Sequence, residues 1–195
     1  ATVVNDTQID FASSTVRGAL SATATTGNIT QGGALNILGA TTLVTTGQGA
    51  TIDLTTTTNA FTGELLITTN DNNTPADGTY AAHASIDGGT TNLIIGTSTI
   101  DGNLTLLSGG TITDTASSTV TVKGDLNATT DANNSDITLD GLEVSGAYIL
   151  NSHGTGIVTI VNAAGIDFEA MTVDGALSAT ATTGNITQSG ALTIT

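Results

Sequence analysis

The feature that most constrains the fold of this chain is a long internal repeat. The segment TVRGALSATATTGNITQ at residues 15–31 returns as TVDGALSATATTGNITQ at residues 172–188, an offset of 157 residues. At this offset, 26 of the 38 residues in 1–38 are identical to their counterparts in 158–195. The chain therefore contains one 157-residue unit and the first 38 residues of a second one.

A shorter period lies inside the long one. A five-residue motif with glycine in the middle and an apolar residue at each end recurs along the chain. It occurs at 16–20, 61–65, 100–104, 122–126, 144–148 and 173–177, with a looser copy at 37–43. The marker glycines of these seven copies are Gly18, Gly39, Gly63, Gly102, Gly124, Gly146 and Gly175. Four of the six steps between them are of similar length, and repeats with a period of about 20–50 residues are typical of solenoids, whose units bury their apolar faces only by stacking. We expect about six turns in each 157-residue unit.

The composition favours strands over helices. The chain has 43 threonines and 24 glycines but one proline, and β-branched residues are stiff at their first side-chain torsion and favour strands. No segment keeps an apolar period of 3.6 residues. We predict an all-β fold, a parallel β-helix (β-solenoid) with about three short strands per turn, such as 19–24, 28–30 and 34–37. Six turns at about 4.8 Å predict a rise of about 29 Å per unit.

Two columns flank the marker glycines. The residues two before and two after each glycine are almost all aliphatic or aromatic, and residues two apart in a strand face the same side. We therefore expect both columns to point inward and to stack along one axis, with the glycines at one corner.

The charge and the missing cysteines exclude several classes of protein. Seventeen acidic residues against two basic ones leave a formal charge of −15, whereas nucleic-acid binding needs clustered cations. The chain has no cysteine, so it has no disulfides or thiolate zinc sites. No apolar run is long enough to span a bilayer. We expect no nucleic acid as a partner, no membrane insertion, and an origin as an internal piece of a larger protein.

The segment at 70–87 interrupts the pattern. It holds the only proline, Pro75, with Tyr80 and His83, and proline cannot donate to a strand ladder. We predict a loop insertion at 70–87 within a single continuous solenoid segment spanning 1–195. Loops on solenoids often carry recognition, but an inert insertion is the simpler interpretation.

We find no pattern that predicts catalysis, a cofactor or a metal. Solenoid enzymes that act on polysaccharides gather carboxylates beside a base, and here only Asp101 and Lys123 fall one turn apart, as a surface pair. DNNTPADG at 71–78 and DANNSD at 131–136 offer oxygens of the kind that calcium prefers, but solvated Asn/Asp turns explain them as well. His83 and His153 are predicted to be solvated. The threonine pairs shift between turns, unlike the regular array of an ice-binding face.

Particular phrases resemble a known family. GALSATATTGNITQSGALTI at 176–195, STIDGNLTLLSGGTIT at 98–113 and SDITLDGLEVSG at 135–146 resemble the repeat regions of filamentous-haemagglutinin-like giant exoproteins. These are bacterial surface adhesins exported by two-partner secretion or as autotransporter-type proteins. The resemblance implies a right-handed β-helix and an extracellular location on the bacterial cell surface.

Together these observations predict a structural repeat segment of a long extracellular adhesin or filament, acting as a stalk or fibre without catalysis. Its expected partners are neighbouring repeats, of the same or identical chains, stacked end to end. The alternative is a ligand-binding module that uses the 70–87 loop or an outer threonine-rich face to bind a glycan, calcium or ice. Ligands on host or biofilm surfaces are further candidate partners of the segment.

Overall fold

The computed structural model describes residues 1–71 and 80–195, and within them the chain forms β-structure without any helix. The strands are short, pair in parallel and build three sheets, here called sheets A, B and C. The prediction of an all-β parallel β-solenoid is confirmed.

The strands are numbered in chain order. Sheet A contains Thr2–Asn5 (β1), Leu20–Ala24 (β4), Thr41–Gln48 (β7), Leu65–Asn70 (β10), Leu93–Ile95 (β12), Ser98–Ile100 (β13), Ile112–Asp114 (β15), Val120–Val122 (β16), Ile137–Val144 (β18), Val158–Asn162 (β20) and Leu177–Ala181 (β23). Sheet B contains Ile9–Phe11 (β2), Ile29–Gln31 (β5), Ile52–Leu54 (β8), Ala84–Asp87 (β11), Leu104–Ser108 (β14), Leu126–Asn133 (β17), Tyr148–His153 (β19), Ile166–Phe168 (β21), Met171–Val173 (β22), Ile186–Gln188 (β24) and Leu192–Ile194 (β25). Sheet C contains Ser14–Val16 (β3), Leu35–Ile37 (β6) and Ala60–Phe61 (β9).

Sheets A and B each pass through nine levels, and we call each level a rung. In sheet A the rungs begin, in order, with β1, β4, β7, β10, β12, β15, β18, β20 and β23. Rung 1 therefore comprises the strands of residues 2–16, rung 7 those of 137–153, rung 8 those of 158–173 and rung 9 those of 177–194. Because β1 and its repeat β20 are seven pairings apart, the long repeat unit contains seven rungs.

The prediction of six turns per unit was wrong because two of the marker steps hold more than one turn. Three marker glycines, Gly18, Gly39 and Gly63, each precede a strand of sheet A, and so does Gly175. The other three, Gly102, Gly124 and Gly146, each precede a strand of sheet B. The two long steps, which connect glycines of different sheets, thus run through one turn and part of another.

The marker glycines consequently form two columns, not the single corner that we predicted. The Gly39 N–H donates to the Gly18 carbonyl at 3.2 Å, and the Gly124 N–H donates to the Gly102 carbonyl at 3.0 Å. Gly102 does not lie on Gly63, since its neighbour in the adjacent rung is Ala82. At every marker glycine except Gly18, a Cβ would lie within 3 Å of the backbone of an adjacent rung.

The predicted inward columns are confirmed. Their side chains are buried in every rung except the first and the last, where Val16 and Leu177 are half-buried. The core runs along the axis as a continuous cluster of aliphatic side chains with Phe61, Tyr148 and Phe168. The strands predicted at 19–24, 28–30 and 34–37 correspond to β4, β5 and β6.

The predicted loop at 70–87 has narrower limits in the structure. Asn70 ends β10, and Ala84–Asp87 is β11, which pairs with β8 and β14 in sheet B. Proline cannot take part in such a ladder, but Pro75 lies in residues 72–79, outside the described part of the chain. The loop prediction therefore included residues of two core strands.

Thr41 is a polar side chain in an otherwise aliphatic column. It is fully buried and pairs with Leu20 on one side and Leu65 on the other. Within the described residues its hydroxyl has no hydrogen-bond partner. A buried hydroxyl without a partner costs about 1–3 kcal/mol, so this position lowers the stability of the stack.

We expect the substitution Thr41→Val to raise the free energy of unfolding by about 1 kcal/mol, since valine keeps the shape and removes the unpaired hydroxyl. Thr45→Val is the matched control: Thr45 is equally buried, but its hydroxyl donates to the Ala50 carbonyl at 3.1 Å. That variant should lose about 1 kcal/mol. Urea unfolding of both variants checks the sign, and a Thr41→Val protein less stable than the wild type would contradict the prediction.

Candidate functional surfaces

The corners of the solenoid use asparagine and aspartate side chains to join successive rungs. The Asn28 Oδ1 accepts the Thr51 N–H at 2.9 Å, and the Asp125 Oδ1 accepts the Ala147 N–H at 2.9 Å. These bonds continue the ladder where the strands end, and they satisfy backbone donors at the turns. The polar corners thus have a structural role that is independent of any ligand.

Side-chain oxygens of the calcium candidate at 131–136 already accept hydrogen bonds of this structural kind. The Asn134 Oδ1 accepts both the N–H and the hydroxyl of Thr155, at 2.9 and 2.8 Å, and the Asp136 Oδ1 accepts the Ile157 N–H at 2.7 Å. Of the candidate at 71–78, only Asp71 is described, and its Oδ2 accepts the Ala81 N–H at 2.9 Å. No group of three or more potential metal-ligating side chains occurs in residues 1–71 and 80–195.

The predicted pairing of Asp101 with Lys123 is confirmed. The Lys123 Nζ lies 3.9 Å from the Asp101 Oδ1, and the residues that precede them are paired in β13 and β16. The Asp101 Oδ2 also accepts the Asp71 N–H at 3.1 Å. The pair is not the surface pair that we predicted, because Asp101 is buried with 8% of its surface exposed. Asp101 also holds the chain at the end of β10 through its bond to the Asp71 N–H.

His83 is not the solvated side chain that we predicted. Its ring is half-buried, and its Nδ1 accepts the Asn103 N–H at 2.8 Å. The Asn103 Oδ1 in turn accepts the Asp125 N–H, and the Asp125 Oδ1 accepts the Ala147 N–H, both at 2.9 Å. These residues follow Ala82 and the marker glycines of sheet B, so His83 begins a ladder of side-chain acceptors. His153 is exposed, as predicted.

A groove of about 520 Å³ lies along this ladder. Its lining includes Tyr80, His83, Asn103, Lys123 and Asp125. An aromatic ring, an imidazole and an ammonium group thus meet in a chain that has only two basic residues. The sequence did not predict this grouping, because its members come from three separate rungs.

Sheet A carries threonine on its outer face, but the array is interrupted. Thr113, Thr138 and Thr159 are successive neighbours on β15, β18 and β20. On the preceding rungs the outward positions are occupied by Ile94, which pairs with Thr113, and by Leu66, which pairs with Thr42. The outer face therefore lacks the same hydroxyl pattern in every rung.

The two ends of the stack leave strand edges and apolar side chains uncovered. In rung 9, Ile186 is 50% and Ile194 is 51% exposed, whereas Ile29 and Ile37, their counterparts in rung 2, are fully buried. The difference arises because rung 3 covers rung 2.

Within the described residues there is no apolar helix long enough to cross a bilayer.

Asn162 shows how one unit joins the next. It is fully buried in rung 8, where its Oδ1 accepts the Val144 N–H at 2.9 Å and its Nδ2 donates to the Val144 carbonyl at 3.1 Å. The Nδ2 also donates to the carbonyl of Gly165 at 2.8 Å. Its counterpart Asn5 makes the corresponding local bond to the Gln8 carbonyl at 2.6 Å. The side chain of Asn162 therefore forms hydrogen bonds to the backbone of Val144 across the junction between rungs 7 and 8, where one unit meets the next.

Comparison with known proteins agrees with this repeat architecture. One family model, described as repeats of unknown function (DUF5649), matches residues 1–68, 81–151 and 155–195. No curated protein and no solved structure matches the chain. The matched segments cover both sheets in all nine rungs. The protein is a β-solenoid repeat protein and belongs to the DUF5649 family of repeats of unknown function.

Proposed function

We propose that this chain is a structural segment of a long β-solenoid, which serves as the stalk or fibre of an extracellular bacterial adhesin or filament and carries no catalytic site. The observation that carries the proposal is that the long repeat unit contains a whole number of rungs. Rung 8 therefore begins on the same sheet and in the same register as rung 1, so units can follow one another without a break in either sheet.

The charge supports the same role. A formal charge of −15 keeps such a rod soluble and opposes side-to-side association. The likeness to filamentous-haemagglutinin-like exoproteins and the location on the cell surface are part of this proposal.

The proposal predicts the length of a longer chain. Seven rungs at about 4.8 Å give a rise of about 34 Å per unit, in place of the 29 Å expected from six turns. A protein with four tandem units should appear in electron micrographs and small-angle scattering as a straight rod lengthened by about 34 Å for each unit. A string of separate globular bodies, or a rise of 60 Å or more, would rule out the stalk.

A second candidate is a ligand-binding module, and the groove at Tyr80, His83 and Lys123 favours it. Aromatic rings beside hydrogen-bonding groups suit the stacking and polar contacts that a glycan needs. Titration of the protein with neutral and acidic oligosaccharides, followed by NMR, tests this function. Chemical shift changes at the groove that disappear in Tyr80→Ala would support it. No shift changes at any concentration would exclude this groove as a site for these oligosaccharides.

A further inference from the structure

The groove that begins at Tyr80 runs along the axis of the solenoid. Its lining comes from four successive rungs, with His83 in rung 4, Asn103 in rung 5, Asp125 in rung 6 and Ser145 in rung 7. Three steps of about 4.8 Å give it a length of about 14 Å. Its volume of about 520 Å³ falls in the range of about 300–1,000 Å³ that is typical of ligand sites. A groove with these dimensions fits a linear ligand that lies along the axis.

Two marker glycines of sheet B, Gly124 and Gly146, form part of this lining. The Gly146 N–H donates to the Gly124 carbonyl at 3.1 Å, so the two glycines lie on successive rungs. Because glycine has no side chain, the neighbouring Lys123 and Asp125 flank an open strip of backbone. A ligand can therefore approach the backbone of these rungs closely.

Hydrogen bonds hold one wall of the groove in place. The His83 Nδ1 accepts the Asn103 N–H at 2.8 Å, and the Asn103 Oδ1 accepts the Asp125 N–H at 2.9 Å. The Asp125 Oδ1 accepts the Ala147 N–H at 2.9 Å, and its Oδ2 accepts a longer bond of 3.4 Å from the Asn103 Nδ2. These side chains are thus fixed before a ligand binds, which lowers the entropy cost of binding.

Other polar groups of the groove are free to contact a ligand. Because the His83 Nδ1 accepts a backbone N–H, the proton of the neutral ring is on Nε2. This Nε2–H and the hydroxyls of Tyr80 and Ser145 have no hydrogen-bond partner within residues 1–71 and 80–195. The groove therefore presents an aromatic ring, a fixed N–H donor and two hydroxyls that can both donate and accept.

The charges of the groove argue against an ionic ligand. Its described lining has one ammonium group, on Lys123, and one carboxylate, on Asp125. The chain as a whole carries a formal charge of −15, which repels polyanions, while a cationic ligand would meet Lys123. We propose that this groove binds a neutral linear glycan, whose sugar units lie along the axis from rung 4 to rung 7 with one sugar ring on Tyr80. This inference rests on the second candidate function above, which it narrows to one class of glycan and one orientation.

Neutral sugars match the groups that the groove offers. Their hydroxyls both donate and accept hydrogen bonds, and the apolar face of a sugar ring packs on an aromatic side chain such as Tyr80. Successive units of an extended glycan are spaced by a distance close to that between neighbouring rungs. One unit after another can therefore make similar contacts on successive rungs.

Titration of the isotope-labelled protein with a panel of neutral linear tetrasaccharides, namely cellotetraose, maltotetraose and mannotetraose, tests the proposal by NMR. At least one of them should shift the amide signals of His83, Asn103, Asp125 and Ser145 together. The corresponding monosaccharide reaches a single rung and should bind about tenfold more weakly. Tetragalacturonate, which has a carboxylate on every unit, should also bind about tenfold more weakly. No shift with any of the three neutral tetrasaccharides would overturn the proposal.

The pair of variants Tyr80→Ala and Tyr80→Phe tests the aromatic contact. Tyr80→Ala removes the ring on which the sugar packs and should weaken binding about tenfold. Tyr80→Phe keeps the ring, so its affinity should stay within about threefold of the wild type. Equal affinity of Tyr80→Ala and the wild type would overturn the proposal.

His83→Asn separates ligand binding from the stability of the fold. The next place in the same ladder is occupied by asparagine, whose Oδ1 accepts a backbone N–H, so the variant should keep this bond and unfold at the same urea concentration. It lacks the Nε2–H donor, and we expect glycan binding about fivefold weaker than that of the wild type. Thr138→Ala, on the outer face of sheet A, is the matched control and should change neither property. Unchanged affinity in His83→Asn would overturn the proposed orientation.

The outcomes distinguish this inference from the proposed functions. Binding of tetragalacturonate alone would keep a ligand-binding module and overturn the neutral class of glycan. A tandem protein that forms the expected rod but binds none of the tetrasaccharides would overturn this inference and leave the stalk. Tetrasaccharide binding in the groove of a protein that forms separate globular bodies would overturn the stalk alone.

Discussion

Replacing Gly63 by alanine is expected to lower the free energy of unfolding by about 2–4 kcal/mol. A Cβ at this position would lie 2.5 Å from the Gly39 carbonyl carbon and 2.6 Å from the Ala40 nitrogen. Both atoms belong to the backbone of the adjacent rung, so relief of the clash requires separating two rungs that are held by parallel ladders on either side. Equilibrium unfolding in urea measures the loss.

Gly18 provides the matched control, since it occupies the same marker position at the start of the same column. A Cβ on Gly18 would meet nothing within 4 Å. Its backbone is not in the left-handed region, so alanine should be neutral or should stabilise the protein by about 0.4–1 kcal/mol through the unfolded state. Equal losses in Gly63→Ala and Gly18→Ala would show that the glycines act through backbone conformation, and close stacking of the rungs would be disproved.

The marker motif predicted the local features of the fold well. Alternation along a strand depends only on neighbouring residues, so the inward positions of Ile37, Leu65 and Val122 followed from the sequence. The pairing of Asp101 with Lys123 followed as well, because the marker step at that point is a single turn.

The count of turns could not be predicted from the same motif. The steps from Gly63 to Gly102 and from Gly146 to Gly175 each contain strands without a marker glycine, such as β11 and β20. Such strands are recognised only by their pairing partners, which are far away in sequence. From the marker motif alone, each long step therefore counts as one turn, and the two glycine columns cannot be distinguished from one.

The roles of the corner side chains were also beyond the sequence. An asparagine in a turn has the same appearance whether its oxygen accepts a backbone N–H, binds a cation or is solvated. For Asn134 the distinction depends on Thr155, which the register of the rungs brings close from a distant part of the sequence. One signal was present in the sequence: both copies of the repeat have asparagine, at Asn5 and Asn162, in a position of otherwise apolar alternation.

Asn162→Ala is expected to destabilise the end of the stack by about 3–5 kcal/mol. The substitution leaves the buried N–H of Val144 without its acceptor and takes a donor from the carbonyls of Val144 and Gly165. Each buried group without a partner costs about 1–3 kcal/mol. Because rungs of a solenoid are stabilised mainly by their neighbours, the loss should be local, with faster amide hydrogen exchange in residues 158–195 and at Val144.

The variant Asn5→Ala separates the stabilisation that comes from the bonds across the junction from the stabilisation that comes from the local turn. Asn5 has the same valine before it and makes the same type of local bond, to the Gln8 carbonyl, but it is exposed at an end of the stack. We expect a loss within about 0.5 kcal/mol for this variant, as for most exposed positions. If Asn5→Ala and Asn162→Ala had equal effects, the stabilisation would come from the local turn that both residues make. A large difference would place it in the bonds across the junction, which form only when one 157-residue unit lies on another.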